Sequence, residues 1–287
     1  MVKRWYKKPW LYALLPIALL AIVVLLHSPS NEGPWKPEQR RTAFARQEGR
    51  SLIVHNIRDF RYDRRGAAIR SQEYLDKRYD LDELQGIWFG LSHFGPYGLA
   101  HSFLSFEFGP GQYLVLSVEA RQRPGQHYQP VMGLLRKYTK IYVASTEQDV
   151  IGVRSQLRGE RVLLYPVVKD GNSTAEELLL ALIDDMNALH EQPEFYNTLL
   201  DNCLTNLLKH STSFEDISAV DLRVLLPGHT DRLTYALGTT PNTMSFDTAR
   251  NMATVDPSLT AIDDDDFSDR IRCGWHGYGK LQFPACR

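Results

Sequence analysis

Three side chains in well-separated stretches have the types that thiol chemistry requires. Cys203 follows Asp201-Asn202 and precedes Leu204, Leu207 and Leu208. The leucines recur at helical spacing, and Asp and Asn accept hydrogen bonds from the free amides that open a helix, so the pattern predicts a helix with Cys203 in its first turn. Unpaired N–H groups and the positive end of the helix dipole there favour thiolate over thiol, the state a nucleophilic cysteine needs. A purely structural cysteine would sit among the leucines further along.

The partners for such a sulfur lie about a hundred residues earlier. His101-Ser102-Phe103-Leu104-Ser105-Phe106-Glu107-Phe108 and Tyr113-Leu114-Val115-Leu116-Ser117-Val118-Glu119-Ala120-Arg121 read as two strands joined by Gly109-Pro110-Gly111-Gln112. Leu104, Phe106 and Phe108 share one side of the first strand; Leu114, Leu116, Val118 and Ala120 share one side of the second. Placing both sets on one face requires a loop of odd length. A three-residue Gly109-Pro110-Gly111 loop pairs His101 directly with Glu119, and a five-residue loop makes them diagonal neighbours. Imidazole beside carboxylate is held in one tautomer and stabilised as its cation, which suits a Cys–His pair. A solvated His–Glu pair on the outside of the hairpin is the alternative, with Glu107 and Arg121 on the same wet face. His190, at the end of a predicted helix, is a rival base, although helix-terminal carbonyls are its more natural partners.

The elements around these residues follow from composition and pattern. The chain has 287 residues, 43% of them hydrophobic, enough for one large domain or two small ones. Lys plus Arg (33) nearly balances Asp plus Glu (34), so no electrostatic footprint for nucleic acid is present. Residues 1–9 are basic at Lys3, Arg4, Lys7 and Lys8 and precede an apolar run over 10–26, which predicts a transmembrane signal-anchor with the following body exported. No small-x-small cleavage pattern follows it, so an uncleaved anchor is preferred to a signal peptide. Residues 27–40 read as a linker, 41–240 as the exported domain and 241–287 as a carboxy-terminal extension. Export permits a disulfide between Cys273 and Cys286 and leaves Cys203 as the odd thiol. No Cys/His spacing suits a closed zinc site and no phosphate-binding glycine loop occurs, so neither a metal nor another cofactor is expected.

Further elements are expected in order. Residues 52–62 form a strand, and 74–91 a mixed segment with a short helix at 81–84 and then a glycine-rich turn region. Residues 133–138 give a short helix, 140–144 a strand, 149–154 a helix start and 161–167 an interior strand. A helix opens at Ser173-Thr174 with Glu176 and Glu177 at capping-box distance and runs to His190. Residues 214–226 read as an amphipathic helix stopped by Pro227-Gly228, and the acidic run 263–266 as a solvated loop. The fold class is therefore α+β, an antiparallel sheet packed against a Cys-bearing helix, with an N-terminal transmembrane helix.

The order of His strand, acidic strand and Asn-Cys helix resembles the circularly permuted papain-like thiol enzymes related to the NlpC group. More closely, Ala100-His101-Ser102-Phe103-Leu104-Ser105-Phe106, Leu116-Ser117-Val118-Glu119-Ala120-Arg121, Pro193-Glu194-Phe195-Tyr196-Asn197 and Asn202-Cys203 are similar to the periplasmic domain of the Lnb family, named for bacterial lipoprotein N-acyltransferases. His55-Asn56-Ile57-Arg58-Asp59-Phe60-Arg61-Tyr62 and Tyr79-Asp80-Leu81 fit the same family. The resemblance covers roughly 50–235 and implies Cys203 as nucleophile, His101 as its base and Glu119 as the orienting acid. Asn202, Arg121, Ser102, Tyr196 and His55 are the supporting or substrate-binding candidates. Leu204 departs from the Thr that often follows the cysteine. Acyl transfer to a lipoprotein amino terminus, with a membrane lipid or lipoprotein as substrate, is the first expectation. Hydrolysis of cell-wall peptides by the same site and a non-catalytic envelope binding protein are the alternatives.

Overall fold

A computed structural model describes residues 14–16, 18, 27–63, 69–96, 98–109, 111–168, 174–218, 221–279, 281 and 283–286. The basic segment and nearly all of the 10–26 anchor lie outside these residues. Among the described residues no helix is long and apolar enough to cross a membrane.

Among the described residues eight strands make one sheet: β1 (Phe44–Glu48), β2 (Ser51–Tyr62), β3 (Ile69–Asp80), β4 (Leu84–His93), β5 (Ala100–Phe108), β6 (Tyr113–Arg121), β7 (Thr139–Ser145) and β8 (Arg161–Pro166). Their order is β1-β2-β7-β6-β5-β4-β8, with β3 paired to β2. The ladders are antiparallel apart from a parallel contact of β2 with β7 at Arg58 and Ser145. The β5–β6 hairpin takes the three-residue register: Phe103 faces Ser117, Leu104 faces Leu116, and the Phe108 amide donates to the Gln112 carbonyl at 2.8 Å. Gly109 and Gly111 both have positive φ (62° and 69°), which a side chain would resist. Phe103, Phe106, Leu114, Leu116 and Val118 are all fully buried. Each contributes about 1.5–3 kcal/mol by leaving water.

Among the described residues these helices pack around the sheet: α1 (Pro130–Leu134), α2 (Ala175–Glu191), α3 (Cys203–Leu208), α4 (Leu222–Leu225), α5 (Thr230–Leu237), α6 (Phe246–Ala253) and α7 (Phe267–Arg270). Thr174 caps α2 through a capping box with Glu177, as its sequence predicts, and α2 lies across β1, β4 and β7. The Cys-bearing α3 packs against β5 and β6. Residues Gln148–Leu157 form a π-helix rather than an ordinary helix start.

Several expectations need correction. Of the glycines read as turns, Gly95 and Gly98 do lie in the bend and turn that follow β4, but Gly86 and Gly90 belong to the strand itself: a Cβ at Gly90 would fall 2.1 Å from the Phe103 ring, so the glycine there admits a neighbouring aromatic instead of making a turn. Strand β8 is not interior but ends the sheet, and its outer edge is covered where the Val255 amide donates to the Val162 carbonyl at 3.0 Å. The helix expected over 214–226 reduces to α4 and a 3₁₀ turn at Thr212–Phe214.

The stretch 27–40 is strapped to the body. Asn31 Nδ2 donates to the His190 carbonyl at 2.8 Å, and Arg121 donates to the carbonyls of Gln39 and Arg40 at 2.8 and 2.7 Å while stacking on Trp35. Residues 241–287 likewise belong to the main core: Ala249, Ala253, Phe267, Ile271 and Trp275 are buried with the strands. Within that core Arg272 and Glu147, both fully buried, form an ion pair at 2.6 Å. The Cys273–Cys286 disulfide is formed.

Candidate active site

Cys203 is the first residue of α3, and Asn202 supplies the cap. Asn202 Oδ1 accepts from the Leu204 and Thr205 amides at 2.8 and 3.0 Å, while Thr205 Oγ1 accepts from the Asn202 amide at 2.8 Å. Asn202 Nδ2 also donates to the Thr198 carbonyl, and Asn206 Nδ2 donates to Asp201, which Lys140 holds at 2.8 Å. The helix start is therefore fixed from both sides of the cysteine. Two of the amides that open the helix are occupied by the cap, and the Cys203 amide is left facing the Tyr196 hydroxyl.

The electrostatics of the sulfur differ from the sequence expectation. Cys203 is only 6% exposed, and burial pushes its thiol above the ordinary range. The backbone amide and hydroxyl of Ser102 and the first amides of α3 oppose that rise but do not overcome it. A helix of six residues has a weak dipole, and desolvation of the thiolate wins.

His101 projects from β5 beside Glu119 on β6, as the hairpin register requires. Its Nε2 lies 3.8 Å from Glu119 Oε1 and has no hydrogen-bond partner among the described residues. Burial drives the imidazole down to about 3; Arg154 adds to the fall, and Glu119 opposes it. Glu119 behaves oppositely. Burial would raise its pKa, but Arg58, His101, Arg154 and a hydrogen bond from Gln39 bring it down to about 2. At neutral pH the site therefore holds a thiol, a neutral imidazole and a carboxylate.

Glu119 is gripped by residues that the sequence did not single out. Gln39 Nε2 donates to Glu119 Oε2 at 2.8 Å, and Gln39 Oε1 accepts from the Gln122 amide at 2.6 Å. Arg154 reaches Glu119 Oε1 at 3.9 Å and Glu160 at 3.9 Å, and Arg58 is locked to Asp149 at 2.7 Å. No local pattern marks Gln39 or Arg154. Gln39 lies in what reads as linker and Arg154 in a π-helix, so only the folded chain brings them to the carboxylate.

A cavity of about 400 Å³ joins these groups. Cys203, His101, Glu119, Gln39 and Arg154 form one part of its lining, and Phe94, Leu99, Tyr128, Leu225 and Pro227 another. Two loops that contribute Leu99 and Pro227 to the lining are tied together where the Gly228 amide donates to the Gly98 carbonyl at 2.9 Å. A Cβ at Gly228 would meet the Gly98 backbone at 2.7 Å, so this approach requires glycine. Among the described residues no cluster of His, Cys, Asp or Glu side chains is arranged to hold a metal ion.

Of the supporting candidates, Asn202, Ser102 and Tyr196 are in place. Ser102 is fully buried, and its hydroxyl has only the Cys203 sulfur to address. Tyr196 lines the cavity and packs edge-on against Tyr128. Two candidates are elsewhere. Arg121 is not on a wet face or in the cavity but is buried as the clamp on residues 31–40. His55 pairs with Asp76 at 3.0 Å and stacks on Phe44, away from the cavity lining. His190 binds the Thr42 hydroxyl at 2.7 Å and packs on Phe44, so it does not compete as base.

A family model described as the Lnb N-terminal periplasmic domain matches residues 70–233, more than half of the chain. The matched stretch contains His101, Glu119 and Cys203 and excludes Gln39 and His55. No curated protein and no solved structure matches the chain.

Proposed function

Because the chain belongs to the Lnb N-terminal periplasmic domain family, we propose that this periplasmic body is a cysteine acyltransferase, tethered to the inner membrane by residues 10–26 and acting on lipoprotein amino termini. The observation that carries the reading is the convergence of Cys203, His101 and Glu119 on one cavity, with a buried imidazole nitrogen left unpartnered 3.8 Å from the carboxylate. The order of His strand, acidic strand and Cys helix, which resembles that of the permuted papain-like enzymes, supports the same reading.

In the first half-reaction Cys203 Sγ attacks the acyl carbonyl of a lipid ester as its proton passes to the neutral ring of His101. The C–O bond to the leaving alcohol then breaks, and His101 returns the proton to that oxygen, leaving a thioester on Cys203. In the second half-reaction the lipoprotein amine attacks the thioester and gives a proton to His101. The C–S bond breaks, the sulfur recovers the proton, and an amide is released. Glu119 stabilises the transient imidazolium, which Arg154 and Arg58 disfavour at rest. The Tyr196 hydroxyl, whose oxygen faces the Cys203 amide and whose own proton can turn into the cavity, is the donor for the tetrahedral oxyanion. At rest the raised thiol and the depressed imidazole keep the proton on sulfur, so in this scheme its transfer to His101 waits for substrate to fill the cavity and for the ring to be stabilised as a cation by Glu119.

Mass spectrometry of lipoproteins from cells carrying wild-type or Cys203→Ala protein tests the assignment. The variant should lack the N-acyl chain. Unchanged lipoproteins with altered cell-wall peptides would replace transfer by hydrolysis, and no change in either would remove the enzymatic reading.

A further inference from the structure

We propose that the rim of the cavity formed by α1 and the Leu199–Leu200 loop seats in the headgroup region of a phospholipid bilayer and holds the mouth against the lipid surface. Val131, Leu134, Leu135, Leu199 and Leu200 are between 39% and 68% exposed, a concentration of large apolar side chains that a water-facing surface rarely carries. The two segments form one surface: Thr198 Oγ1 donates to the Pro130 carbonyl at 2.6 Å, and a Cβ at Gly133 would collide with that same hydroxyl. They also border the cavity, since Tyr128, Pro130 and Thr198 line it together with Cys203. Phe94, 47% exposed, lines the same cavity.

Two further observations identify bilayer as the occupant. The first is where the chain leaves the body. The His27 ring packs on Phe195 at 5.3 Å, and the Arg136 guanidinium lies over the same ring at 4.6 Å. Residue 27 directly follows the apolar run 10–26, so the sequence suited to a membrane departs from the edge that carries the patch. The second is charge. Arg136 and Lys137 follow Leu135 and form no ion pair among the described residues, whereas Glu194 and Asp201 on the neighbouring segment are both bound to Lys140, at 2.6 and 2.8 Å. An apolar patch edged by uncompensated cations matches the anionic headgroups and acyl boundary of a bilayer. The acyl-transfer reading explains why the mouth faces lipid; the surface itself does not require Cys203 to be a nucleophile.

The test uses the full chain, in a Cys203→Ser background, reconstituted in phosphatidylethanolamine–phosphatidylglycerol vesicles. A bimane label is placed through Leu134→Cys, Leu200→Cys or, as a control on exposed β3, Lys77→Cys. Labels at 134 and 200 should emit at shorter wavelength than at 77 and be quenched several-fold more strongly by doxyl-labelled lipids. Quenching no greater than at 77 overturns the proposal. A shift to shorter wavelength without lipid quenching also overturns it, because it assigns the patch to residues 10–26 or a second copy. Since all variants lack the Cys203 sulfur, the outcome is independent of whether that sulfur carries acyl groups.

Discussion

Replacing Arg154 with glutamine removes a cation from the His101–Glu119 pair while keeping a polar side chain of similar reach. His101 Nε2 and an Arg154 nitrogen lie 3.8 and 3.9 Å from the same Glu119 oxygen, so they are no more than about 8 Å apart. Two unit charges at that distance, with the effective dielectric of about 20 that suits protein sites, repel by roughly 2 kcal/mol, equivalent to about one and a half pH units in an imidazole titration. Burial, the larger cause of the depression to about 3, is untouched. Arg154→Gln should therefore raise the His101 titration without restoring it to the ordinary histidine value. Nuclear magnetic resonance of ring-labelled histidine, with His101 assigned by its loss in His101→Gln, reads this directly. The wild-type ring should stay neutral down to pH 5, and the variant should begin to protonate near that pH. An unchanged or lower titration in Arg154→Gln would refute the electrostatic role given to this arginine.

Other consequences follow from the same groups. The folded His101 titrates far below an unfolded histidine, so the unfolded chain binds the extra proton between about pH 6.5 and 3 and stability falls as pH drops through that window. The loss is about 1.4 kcal/mol per pH unit from this residue. His101→Gln should flatten the decline of urea-unfolding free energy between pH 6.5 and 4.5; an equally steep decline contradicts the neutral buried ring. Tyr196→Phe removes the proposed oxyanion donor and should lower kcat by about 10²–10³ with little change in KM, whereas a selective rise in KM would make the hydroxyl a substrate contact. Arg272→Met strands Glu147 in the core and should cost about 3–5 kcal/mol by denaturant titration. A loss below 1 kcal/mol would show that Glu147 finds another partner or is protonated at little cost.

The hairpin and the cysteine helix were legible because local chemistry alone determines them. Only an odd loop puts Leu104, Phe106 and Leu116 on one face, and Gly109 and Gly111 accept the positive φ of that loop; His101 and Glu119 are then brought together without further information. Asn202 caps α3 for the same local reason. Strand β4 was hidden because Gly86 and Gly90 look like turn residues, while the need for glycine at 90 comes from Phe103 on the next strand. Helix position is visible in sequence and burial is not, so a first-turn cysteine points to a lowered thiol pKa where burial in fact raises it: Ser102, Tyr196 and Asn202 close around the sulfur only in three dimensions. Arg121 and Gln39 illustrate the same limit. One looks like a surface charge and the other like linker, yet the first clamps the second's segment to the body, and the second holds Glu119.

The most direct test is whether Cys203 carries an acyl group during turnover. Full-length protein incubated with a fatty-acyl ester in phosphatidylglycerol vesicles, quenched in acid and digested, should yield the Cys203 peptide with one acyl chain attached, released by neutral hydroxylamine. An unmodified peptide under conditions where N-acylated product accumulates, or an adduct that hydroxylamine leaves intact, would contradict a thioester on this sulfur.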